Sequence, residues 1–210
     1  MLYAGYAKGL LVGVATLVLF GCAPPLKVDI SGSEYKPTAS VTKQPPQITS
    51  HTIINRAPPP DGDNGVLGPT QIPINPERPL SDTVESDLEL LFAQTVTINQ
   101  NADQSIIITL RRAEAFWKKS KAENLPFVGL FMAARERTFV MNIALTASLM
   151  ENGEEVISYP AEREITIEGS ATTRKDIAKN YERLVAEYRE TILPQLVDNF
   201  ILQIPNEDSI

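Results

Sequence analysis

The 210-residue chain has one cysteine, one histidine and one tryptophan. With Cys22 alone, there is no internal disulfide framework and no multi-cysteine metal site. With His51 alone, there is no paired-histidine metal set. A Ser-His-Asp triad would have to use His51, and no Gly-x-Ser-x-Gly stretch supplies a nucleophile. No phosphate-cradling glycine loop is present. Basic charge is also short: 19 Lys and Arg stand against 26 Asp and Glu, a net charge of −7. That balance excludes the basic face needed for general nucleic-acid binding, and it gives no attraction to anionic lipid. The expectation is a protein that is not an enzyme and takes no metal or cofactor.

What is present begins at the N-terminus. Lys8 and the amino group make a short positive start, and Leu10 to Phe20 form an apolar core of eleven residues. This suits an export signal and falls short of the ~20 residues that span a bilayer. Leu19-Phe20-Gly21-Cys22 follows, then Ala23-Pro24-Pro25, which stops any helix. The pattern resembles a bacterial lipobox, with an aliphatic residue at −3, a small residue at −1 and then the cysteine. The resemblance implies diacylglycerol on the Cys22 sulfur, cleavage before Cys22, and acylation (palmitate or a similar chain) of the new amino terminus. Several chains on one residue anchor lastingly where one binds only marginally, at about 0.8 kcal/mol per buried methylene. Ala23 is not the aspartate that retains such lipoproteins in the inner membrane, so the outer membrane, periplasmic side, is implied. Removal of 21 of the 210 residues leaves 189 and takes the charge from −7 to −8, since Lys8 leaves.

The organisation expected is a signal peptide over 1–21, a lipidated tether over 22–50, one α+β domain over 51–204 and a tail over 205–210. The tether is polar and proline-bearing. His51 to Arg56 predicts a strand. The stretch from Ala57 to Pro79 holds seven prolines and three glycines and excludes a helix or central strand. Within it, Asp61-Gly62-Asp63-Asn64-Gly65 has glycine at the fifth position, where a calcium loop needs Asp or Asn, so a polar turn is expected. Asp82 and Glu85 stand in capping-box spacing before Val84, Leu88, Leu91 and Phe92, one apolar helical face. The carboxylates of Asp82, Glu85, Asp87 and Glu89 are ascribed to the helix dipole.

Ser105 to Lys118 predicts a strand ending near Trp117, whose ring either packs on the core or meets a partner. Leu125 to Met132 is uncharged and strongly apolar. Its Phe127, Leu130, Phe131 and Met132 either turn back on the core or form an exposed patch for a partner. Arg137 to Met150 alternates, with Phe139, Met141, Ile143, Leu145, Ala147 and Leu149 on one side, and Asn152-Gly153 marks a type I′ hairpin. Leu149 is expected opposite Val156, and a bulge near Pro160 is needed to keep Glu162 and Glu164 out of the core. Thr173 and Asp176 cap a last helix, which Pro194 should kink.

The lipobox, the segment Ile53-Ile54-Asn55-Arg56 followed by a loop to Leu67-Gly68, and the Asn-Gly hairpin before the last helix together resemble the YajG-like family of small bacterial outer-membrane lipoproteins. That resemblance implies an antiparallel sheet of three to four strands with two helices on one face. The function expected is non-enzymatic docking on an envelope protein partner, with a lipid, glycan or peptide carrier as the alternative. A carrier would need a cavity near Phe139, Met141 and Tyr188.

Overall fold

The computed structural model describes residues 35–37, 45–58, 70–71, 79–118 and 136–205. The elements are β1 (Gln47–Ile48), β2 (Ser50–Asn55), β3 (Thr70–Gln71), α1 (Leu80–Thr95), β4 (Thr97–Ile98), β5 (Gln104–Trp117), β6 (Glu136–Glu151), β7 (Glu154–Ser170) and α2 (Arg174–Glu187). A π-helical turn (Tyr188–Ile192) and α3 (Leu193–Ile201) continue α2. The class is α+β: a sheet in the order β2-β5-β6-β7, with β3 also on β5 and helices packed on one face.

The sheet is mixed, where an antiparallel one was expected. β2 runs parallel to β5, pairing Ser50 with Ser105 through Asn55 with Leu110. The reason is α1, which lies between them in sequence: a strand returned by a helical crossover enters the sheet in its original direction. β5-β6 and β6-β7 are antiparallel. Gln47 and Ile48, expected in the tether, form β1 in parallel with β4, and Ile48 belongs to the core.

The long hairpin turns on Asn152 and Gly153, at φ of 52° and 86°, the left-handed pair a type I′ turn requires. Leu149 pairs with Ile157 and not with Val156; the register shifts between Leu149 and Met150, leaving Val156 as the bulged, exposed residue. The required bulge therefore sits four residues before Pro160. The turn supplies the irregularity at once, so Ala161 and Ile165 reach the core and Glu162 and Glu164 stay outside. Pro160 is tolerated because β7 is an edge strand. A second shift, between Leu110 and Arg112, leaves both Arg111 and Arg112 exposed.

α1 starts two residues before Asp82, at Leu80, with Pro79 in the cap position and no side-chain cap bond. Asp82 and Glu85 instead accept from Asn55 Nδ2, at 3.5 and 3.1 Å, and so tie α1 to β2. Thr173 and Asp176 do form the expected capping box on α2. The kink expected from Pro194 takes the form of the π-turn, in which the Leu193 amide donates to Tyr188 O, five residues back. Proline crowds the carbonyl four residues before it, and the wider turn relieves this. The extra residue keeps Tyr181, Leu184, Tyr188, Leu193, Leu196 and Phe200 on one buried face.

Candidate functional site

The most unusual chemistry in the described fold lies between α1 and the π-turn. Val84, Asp87, Leu88 and Leu91 share one helical stripe, so the packing that buries the leucines carries Asp87 inside with them. Arg189 meets it from the π-turn. Its Nε donates to Asp87 Oδ2 at 2.8 Å and its Nη2 to Oδ1 at 3.0 Å, a two-pronged pair. The side chains are 3% and 11% exposed. Burial pushes the Asp87 carboxyl above its usual range, outweighing the hydrogen bonds and charge of Arg189 that pull the other way.

Tyr35 covers the pair, its ring centre 5.3 Å from the guanidinium carbon. The hydroxyls of Tyr35, Tyr181 and Tyr188 are buried without a hydrogen-bond partner among the described residues. Burial, then the charge of Asp87, pushes the Tyr35 hydroxyl up to about 12, against the opposing pull of Arg189. Burial likewise raises Tyr181 and Tyr188. These phenols therefore stay protonated near neutrality, and Asp87 has both oxygens engaged by one guanidinium. The cluster is built as a lock between α1 and the π-turn.

His51 Nε2 lies 3.0 Å from Glu89 Oε2, and its ring stacks on Phe92 at 6.2 Å between centroids. The sole histidine thus links β2 to α1. Among the described residues, no group of three His, Cys, Asp or Glu is placed to hold a metal. On the sheet face away from the helices, Arg112 bonds Glu162 at 2.9 Å, Lys118 bonds Glu164 at 3.1 Å and Thr138 donates to Glu168 at 2.6 Å. These are cross-strand pairs on an exposed surface, worth little individually.

Trp117 is half-buried on the helix side at the end of β5. Phe139 meets its ring edge-on at 6.2 Å, and the Arg137 guanidinium lies 5.6 Å from its centre. Leu19, Phe20, Gly21 and Cys22, the apolar residues Phe127, Leu130, Phe131 and Met132, and the Asp61–Gly65 stretch lie outside the described residues. Phe139 and Met141 expose nothing and Tyr188 1%, and all three belong to the core. Asp87, Arg189 and Tyr35 were not foreseen as a set. The available signal was a charge of opposite sign inside each of two apolar stripes, Asp87 beside Leu88 and Arg189 beside Tyr188.

No described helix is long and apolar enough to cross a membrane. No protein-family model and no curated protein matches the chain. Solved structures to which it is similar include a Xanthomonas campestris protein of the family model DUF330, at 16% identity and a TM-score of 0.40, covering 79% of this chain and 93% of that one. Rare lipoprotein B from Shewanella oneidensis is similar at 12% identity and a TM-score of 0.39, covering 72% and 92%. A minor lipoprotein from Acinetobacter baumannii is similar at 10% identity and a TM-score of 0.39, covering 74% and 96%. None of these three carries the YajG-like name.

Proposed function

We propose that this protein is an envelope lipoprotein, held by acyl chains on Cys22 at the periplasmic face of the outer membrane. Its α+β domain docks on another envelope protein without catalysing a reaction. The observation that supports this most is Cys22 itself: the only cysteine, placed where an export signal of eleven apolar residues ends. The ionisable clusters described above add support, since His51, Asp87 and Arg189 are each engaged in joining elements of the fold. Phe127, Leu130, Phe131 and Met132 are the candidate partner contacts, with Trp117, ten residues before Phe127 at the end of β5, a further one. The protein uses no metal or cofactor beyond its covalent acyl chains and does not bind nucleic acid.

Cys22→Ser should leave a folded domain that no longer fractionates with outer membranes; normal retention of that variant would overturn the anchoring. Crosslinking in intact cells should recover an envelope protein with the wild type, and recovery should be lost when Phe127 and Phe131 are both replaced by Ser. Equal recovery with that double variant would remove this segment as the docking surface.

A further inference from the structure

Tyr35 lies twelve residues before β1, in the stretch expected to be a tether, yet it packs on the core. It does so at a specific place, with its ring against the guanidinium of the one ion pair that is buried on both sides among the described residues. Its hydroxyl is buried there as well. We propose that Tyr35 is a strap that clamps the tether to the groove between α1 and the π-turn, so that the clamp, and not the full tether length, sets how far the domain stands from its anchor.

Three observations converge on this. The groove offers a cation held in place by Asp87, so the ring has a fixed partner and not a wandering one. A planar guanidinium stacks on an aromatic face, and the interaction strengthens when water is excluded. Tyr188, next to Arg189 in the chain, is itself buried. Cys22 to Tyr35 is thirteen residues, whereas Cys22 to Gln47, where β1 begins, is twenty-five. At roughly 3.3 Å per extended residue, the clamp cuts the greatest reach from about 80 Å to about 40 Å. The strap is therefore a device with two settings: docked, with the domain held near the bilayer, and released, with reach doubled and the Asp87–Arg189 pair opened to water. The change in reach rests on the anchoring of Cys22; the clamp itself does not.

The test uses the full-length protein in detergent micelles, with spin labels on Pro37→Cys and Glu182→Cys. The mass of the N-terminal peptide reports whether Cys22 is acylated, and where it shows a free thiol Cys22→Ser is added, so failure of the anchor is read separately from failure of the clamp. Double electron–electron resonance should give one narrow distance for the wild-type strap. Tyr35→Ala should broaden it, and Tyr35→Phe, which keeps the ring, should restore the narrow distance. Circular dichroism identifies a Tyr35→Ala variant that has merely unfolded, and Tyr35→Phe then carries the test alone. A distribution as broad with Tyr35 in place as with Tyr35→Ala, or a broad one in Tyr35→Phe, would overturn the clamp.

Discussion

Two glycines show how one substitution can fail for two unrelated reasons. Gly153 has φ of 86°, and a methyl group added to it would meet nothing within 4 Å. Gly153→Ala should therefore cost about 1 kcal/mol of purely conformational strain. Gly153→Asn should recover part of it, because asparagine tolerates the left-handed region. Gly169 has an ordinary backbone, but a methyl group there would collide with the side chain of Asn180. That side chain is committed, since its Nδ2 donates to Ser170 O at 2.7 Å. Gly169→Ala should cost about 1–3 kcal/mol by overpacking, and Asn180→Ala should relieve part of that cost in the double variant. Urea midpoints at constant m-value measure all five variants, the double one included. Additive losses at Gly169 and Asn180 would show that the two do not meet.

Between elements, the Asp87–Arg189 pair is the sharpest dependency. Asp87→Ala would leave a buried guanidinium without its partner and should cost about 3–5 kcal/mol. Replacing both, with Asp87→Leu and Arg189→Met, should recover most of that loss, because a well-packed apolar pair avoids desolvating two charges. The pH dependence has a definite sign. Burial raises Asp87 in the folded state, so its favourable contribution is complete below the unfolded value of about 3.9 and is lost as pH rises through the raised one. The stability of the wild type minus that of Asp87→Asn should therefore fall as pH climbs from about 4 toward neutrality; a difference that grows would contradict the burial argument.

Elements were legible where period and local chemistry agreed. The alternation of Phe139 to Leu149, the Asn152-Gly153 turn and the Thr173–Asp176 cap could all be read from neighbours in sequence. The bulge was legible as a need, since Glu162 and Glu164 had to be kept out, but its position was not. That depends on how the turn twists the first pairs of the ladder. The N-terminus of α1 misled because Asp82 and Glu85 fit a capping box, yet Asn55, distant in sequence, binds both. The Asp87–Arg189 site was illegible for the same reason. Its partners are 102 residues apart, and nothing local distinguishes a paired charge from a solvated one.

At the scale of the whole molecule, the helices and the hairpin order themselves differently. β6 and β7 are joined by two residues and can pair as soon as both exist. β2 must wait for β5, about fifty residues later, and loop closure over that span precedes any gain from pairing. The parallel pairing therefore has a consequence for folding. Until β2 docks, the Ser105–Leu110 stretch of β5 presents an open edge free of charge and proline, the kind of edge on which chains add to one another. A fragment starting at Ala57 should thus be a self-associating species and not a shortened monomer. Light scattering should show it growing with concentration while the full-length Cys22→Ser protein stays monomeric, and a monodisperse fragment would mean that some other segment shields β5. The N-terminal strand of this lipoprotein candidate is, in these terms, its own chaperone: six residues whose late arrival closes the sheet against its neighbours.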